Sequence, residues 1–67
     1  MEYSNSKIRE IISEYVHNDR NRELLCRRLI DGITFERLAE EFDLSVSQVK
    51  RIVQRESAIV FRRVQAN

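Results

Sequence analysis

The 67-residue sequence predicts a compact all-α domain of four to five helices, which contains a helix-turn-helix and ends in a long C-terminal helix. Three observations support this fold class. The chain has no proline and a single glycine, so few residues interrupt helices. No segment of useful length alternates apolar and polar residues as a half-buried strand would. Apolar residues recur three and four positions apart instead, which is the spacing of one helix face.

The first two helices are expected at about residues 6–18 and 20–31. Ser4 to Ser6 offer N-caps for the first helix, and Asn18 and Asp19 offer a break and a new N-cap for the second. Gly32 stands where a left-handed C-terminal cap belongs, because glycine has no Cβ to clash there. The apolar face of the first helix is formed by Ile8, Ile11, Ile12, Tyr15 and Val16, and that of the second by Leu24, Leu25, Leu29 and Ile30.

The third and fourth helices are expected at about residues 35–42 and 46–64. Thr34 is a good N-cap for the third helix. Ser45 and Gln48 match a capping box, in which each residue bonds the backbone N–H of the other. Two apolar pairs have the spacing of hydrophobic staples across these caps, namely Ile33 with Leu38 and Leu44 with Val49.

Residues 34–53 have the residue types that a helix-turn-helix needs. Ala39 is small, so two helices can approach closely where they cross. The connection between the helices is short, Asp43-Leu44-Ser45. The flanking inward positions are all apolar: Leu38, Phe42, Leu44, Val49 and Ile52. In such a motif the first helix braces the second, which enters the major groove.

Residues 34–53 resemble the helix-turn-helix of bacterial sigma factor region 4, and the similarity extends over about residues 20–60. The C-terminal domain of response regulators has much of the same pattern. The resemblance implies a small bacterial or phage transcriptional regulator that binds duplex DNA sequence-specifically in the major groove. One position departs from the family, because Asp43 replaces the usual turn glycine. Aspartate tolerates the left-handed region better than most residues, so we expect the turn to form.

The predicted DNA contacts lie mainly on the fourth helix, which would be the recognition helix. By position and by resemblance, the expected base contacts are Val46, Ser47, Lys50, Arg51 and Gln54. The expected phosphate contacts are Thr34, Arg37 and Arg55, together with the N-terminal amides of the third helix. The alternative interpretation of the cations is a merely solvated helix face.

The charge distribution favours this end of the chain for phosphate binding. The formal net charge is only +1, but residues 34–44 carry one basic and four acidic side chains, whereas residues 45–67 carry five basic and one acidic. Local charge decides phosphate binding, because salt screens charges beyond about 10 Å at 0.1 M.

Composition also limits the partners and the location of the chain. Cys26 and His17 are the only cysteine and histidine, so we expect no internal disulfide, no metal and no other cofactor. We expect a cytoplasmic protein with no membrane partner, because the N-terminal residues do not form a signal peptide and no apolar stretch approaches about 20 residues. The sequence contains no nucleophile–base pair and no phosphate-cradling glycine loop, so it does not predict an enzyme.

Two questions about partners stay open in the sequence. The acidic third helix suggests an alternative function, a protein-interaction module that binds RNA polymerase or another regulator with little direct DNA contact. Residues 58–61 cannot bury all their side chains on one helix face. They are either covered by the first helix or paired with a second copy, and we favour a homodimer through the C-terminal helix.

Glu56 interrupts the apolar face of the fourth helix, so a bend there or a separate, fifth short helix is a further alternative.

Overall fold

The computed structural model describes residues 4–66, with side chains described up to residue 63. It contains four helices in this part of the chain: α1 (Asn5–Tyr15), α2 (Asp19–Leu29), α3 (Phe35–Phe42) and α4 (Val46–Ala66). The all-α fold class with a long C-terminal helix is confirmed. The alternative of a separate, fifth short helix near Glu56 is wrong, because α4 continues through this residue.

The first two helices begin at the expected caps but end earlier than expected. Ser4 Oγ accepts the N–H of Lys7 at 3.1 Å, and Asn18 Oδ1 accepts the N–H of Asn21 at 3.0 Å. The expected end of α1 at residue 18 is wrong, since Val16 is already extended (φ −105°, ψ 108°) and turns its side chain into the core. Its carbonyl accepts a hydrogen bond from Arg22 Nε at 3.1 Å.

The end of α2 at Leu29 also differs from the expected residue 31. The N–H of Ile33 donates back to the carbonyl of Arg27 at 3.2 Å, and this bond closes the helix. Gly32 makes the reversal possible with φ 70°, which is the left-handed conformation that glycine adopts without cost.

The core is formed around α4, which packs against each of the other three helices. The buried apolar side chains come from all four helices and from the residue after α1: Ile11, Ile12, Val16, Leu24, Leu25, Leu38, Ala39, Val49, Ile52, Val53 and Val60. Because α4 contacts every other helix, its axis is held along most of its length. The exposed face of α4 is therefore held in one orientation relative to the core.

The corner between α3 and α4 depends on Asp43. This residue is left-handed (φ 55°, ψ 49°), as expected for its position in the turn. Its N–H donates to the carbonyl of Glu40 at 3.4 Å, and the N–H of Leu44 donates to that of Ala39 at 2.9 Å. These bonds end α3 and let the chain enter α4 after two further residues.

An ion pair fixes α3 against α2. Arg27 Nη2 lies 2.8 Å from both carboxylate oxygens of Glu41, and Arg27 Nη1 lies 3.6 Å from Asp31. The hydrogen bond to Glu41 raises the pKa of Arg27 above its ordinary value. The pair therefore links α2 to α3 through a single guanidinium nitrogen at the surface.

We expect Asp43→Gly to raise the free energy of unfolding by about 1 kcal/mol, because glycine adopts the left-handed conformation without a Cβ penalty. Asp43→Val should lower it by about 1–3 kcal/mol. Urea denaturation measures both effects. As a control, Glu40→Gly introduces glycine into the right-handed helix next to the turn and should cost about 1 kcal/mol. A destabilising Asp43→Gly would contradict this account of the corner.

Candidate nucleic-acid interface

One face of α4 carries most of the residues predicted to contact bases. Successive residues of a helix are rotated by about 100°, so Ser47, Lys50, Arg51 and Gln54 share one side within a sector of about 100°. All four residues are exposed, whereas Val49, on the opposite side, is fully buried. The first turns of α4 therefore present hydroxyl, ammonium, guanidinium and amide groups together.

Val46 differs from the other predicted base contacts. It is half-buried and packs against the core. It lies about 40° from Lys50 around the helix axis, towards the core side. Of the five predicted residues, Val46 therefore offers the least free surface.

A reciprocal pair of hydrogen bonds fixes the first turn of α4. Ser45 Oγ accepts the N–H of Gln48 at 3.1 Å, and Gln48 Oε1 accepts the N–H of Ser45 at 2.9 Å. This is the capping box expected from the sequence. It occupies the side chain of Gln48 and leaves the neighbouring Ser47 exposed on the outer face.

The predicted phosphate contacts are exposed but already have partners. Thr34 Oγ1 accepts the N–H of Arg37 at 3.2 Å, which leaves its own hydroxyl proton available for donation. The Arg37 side chain is 72% exposed, and its Nε lies 3.8 Å from Glu41. Arg55 Nε lies 3.3 Å from Glu56 on the next helical position. Both arginines would have to exchange a carboxylate for a phosphate.

The positive charge of the C-terminal segment is not uniformly available. Arg63 lies over the ring of Tyr15, with Cζ 4.6 Å from the ring centroid, and so ties the end of α4 to α1. Arg62, Lys50 and Arg51 are exposed. Within residues 4–63, none of these three side chains has a carboxylate within 4.0 Å.

The aromatic contact of Lys50 was missed by the sequence analysis. The Nζ of Lys50 lies 5.9 Å from the ring centroid of Phe35, and the Cζ of Arg28 lies 4.1 Å from the same centroid. Arg28 Nη1 also donates to the carbonyl of Ile33 at 2.9 Å. The three residues come from α2, α3 and α4 and are far apart in the chain, so no local sequence motif predicts their contact.

The described residues contain no group of histidine, cysteine, aspartate and glutamate side chains that would hold a metal ion. None of their helices is both long enough and apolar enough to cross a membrane. Cys26 is half-buried, and this burial raises the pKa of its thiol.

The capped corner between α3 and α4, with a polar face on the second helix, defines a helix-turn-helix DNA-binding domain. The family described as Sigma-70, region 4 matches residues 18–55, which is more than half of the chain. The chain belongs to this family, and the resemblance seen in the sequence is confirmed. Region 4 is a non-catalytic module that binds promoter DNA in the context of RNA polymerase. No significant match is found among curated proteins or among solved structures.

We expect Ser45→Ala to lower the free energy of unfolding by about 1 kcal/mol, because the N–H of Gln48 at the start of α4 loses its acceptor in the capping box. Chemical denaturation measures this loss. Ser13→Ala is the matched control, since Ser13 is exposed within α1 and alanine is favourable there. Equal stability of the two variants would show that the capping box does not stabilise α4.

Proposed function

We propose that the chain is a transcriptional regulator that reads duplex DNA in the major groove with α4. The observation that carries the proposal is the exposed face of Ser47, Lys50, Arg51 and Gln54 at the capped start of α4. Membership in a promoter-binding family supports it. This function also implies a location in the cytoplasm, where the chain has access to DNA.

The side chains on this face suit base edges of different kinds. Lys50 and Arg51 would donate to O6 and N7 of guanine, and Gln54 would form a bidentate pair with adenine. Ser47 would bond either kind of base, and the exposed part of Val46 would contact a thymine methyl group. These contacts need the residues to stay on one rigid helix, which the packing of α4 supports.

Phosphate contacts would set the position of the domain on the duplex. We propose Thr34, Arg37 and Arg55 for this role, with the first amides of α3. The carboxylate partners of the two arginines do not oppose it strongly. Their separations of 3.8 and 3.3 Å involve side chains that are 72% and 61% exposed, and exposed ion pairs contribute little to stability.

The combined variant Lys50→Glu, Arg51→Glu should lose at least about a hundredfold in affinity for duplexes that the unmodified chain selects from a random library. Lys7→Glu with Arg9→Glu is the matched control, because it makes the same charge change on exposed residues of α1. Fluorescence anisotropy measures both. If about four phosphates are contacted, the slope of log K against log salt should be roughly −3.6. Failure of the unmodified chain to bind any duplex at low salt would refute DNA recognition.

The alternative function is a module that binds RNA polymerase or another regulator with little direct DNA contact. Its support is the acidic outer side of α3, where Glu36 and Glu40 are exposed. Within residues 4–63 neither carboxylate has a cation within 4.0 Å. Co-purification of RNA polymerase that survives Lys50→Glu and Arg51→Glu, together with absent DNA binding, would favour this alternative.

We also propose a homodimer through α4, in which fewer of residues 58–61 take part in the contact than the sequence suggested. Val60 is fully buried, whereas Ile59 and Phe61 are 37% and 45% exposed. Ile59 and Phe61 lie about 160° apart around the helix axis, so one flat contact does not cover both. Phe61 shares its side of α4 with Ala58 and is the larger exposed group. A two-fold pairing there would present two recognition helices to a near-palindromic site.

Phe61→Ser should shift the chain towards monomer in sedimentation velocity, because the contact loses its main apolar side chain. Ile59→Ser is the matched control on the other side of α4 and should leave the association unchanged. A monomeric unmodified chain over the full concentration range, or an equal effect of both substitutions, would exclude a dimer built on Phe61.

A further inference from the structure

The ring of Phe35 links the recognition helix to the helix before the turn. Phe35 is the first residue of α3 and is half-buried against the core. Two cations lie within about 6 Å of its centroid, the distance within which a cation is attracted to an aromatic ring. Arg28 comes from α2 with its Cζ at 4.1 Å, and Lys50 comes from α4 with its Nζ at 5.9 Å.

The two cations differ in how firmly they are held. Arg28 also donates to the carbonyl of Ile33 at 2.9 Å, so its guanidinium is fixed by both backbone and ring. Lys50 is exposed, and within residues 4–63 its ammonium has no carboxylate within 4.0 Å. Within residues 4–63, the ring of Phe35 is the one favourable partner found for the end of the Lys50 side chain.

A restraint of this kind matters for recognition. A lysine has four flexible bonds, and it loses their freedom when its ammonium is fixed on a base. A side chain that is already confined loses less on binding, so preorganisation raises affinity without a new contact to the ligand. The ring also keeps the ammonium near the N-terminus of α3, where Thr34 is expected to meet a phosphate.

We propose that Phe35 is a positioning residue for base recognition, whose ring confines the ammonium of Lys50 before DNA is bound. This inference rests on the proposed function of α4 in the major groove. Arg28 has a separate role, because its guanidinium holds the ring of Phe35 and the turn before α3. In this proposal Phe35 affects recognition through Lys50 and not through a DNA contact of its own.

The geometry is tested first without DNA. In the NMR spectrum of the full chain, the ε-methylene protons of Lys50 should be shifted upfield by the ring current of Phe35, relative to those of the exposed Lys7. Phe35→Leu should move the Lys50 signals to the Lys7 position. Lys50 signals that coincide with those of Lys7 in the unmodified chain would overturn the proposal.

The role in recognition is tested with 3,4,5-trifluorophenylalanine at position 35, which keeps a six-membered ring in the core but withdraws its electron density. Affinity for the selected duplex should fall by up to about fivefold when Lys50 is present, because a weaker ring contact holds the ammonium in its binding position for a smaller fraction of the time. In a Lys50→Met background the same replacement should have no effect. This comparison separates the role of Phe35 in holding Lys50 from its roles in packing and in holding Arg28.

Equal losses in the two backgrounds would show that Phe35 acts only through packing or Arg28, and would overturn the proposal while DNA binding stands. An unmodified chain that binds no duplex would refute the proposed function, and the recognition role of Phe35 with it. An upfield shift of the Lys50 signals would then show only that the contact with Phe35 exists in the free chain. The outcomes of the two experiments thus distinguish a failure of the inference from a failure of the function.

Discussion

The left-handed conformation of Asp43 is the constraint on which the rest of the structure depends. It reverses the chain after α3, so that Leu38 and Val49 on successive helices enter the same core. The capping box then starts α4 immediately, and the side opposite that core becomes the exposed face with Lys50. A right-handed residue at this point would continue α3 and turn the following helix away from its packing partners. The conformation of one backbone position therefore sets the orientation of the whole candidate interface.

Most of the fold could be predicted because its signals are local. The caps at Ser4, Asn18, Thr34 and Ser45 each bond a backbone group within three residues, and such bonds can be anticipated from spacing alone. The end of α1 was placed too late, because the extended conformation of Val16 goes with burial of its side chain in a core built by distant residues. Local pattern does not contain that information.

Local pattern predicts one part of the candidate site and does not predict the other. Helical periodicity places Ser47, Lys50, Arg51 and Gln54 on one face, and the exposed positions of these residues follow from it. Periodicity does not reveal that Phe35 lies near Lys50, because this contact depends on the crossing of α3 over α4. The order of charged residues in the sequence also does not reveal which cations already have a partner, since Arg63 lies over an aromatic ring of α1. Contacts between helices thus decide which members of a basic segment remain available to a ligand.

The matched family covers residues 18–55, and the described segments on either side of it meet where Tyr15 of α1 lies beneath Arg63 of α4. Both segments also contribute buried apolar side chains to the shared core. Trimming the chain to the family boundaries would remove buried side chains from this core, namely Ile11, Ile12 and Val16 at one end and Val60 at the other. A fragment for expression that keeps only the residues matched by the family would therefore lose core side chains from both ends, so the core extends beyond the family boundaries.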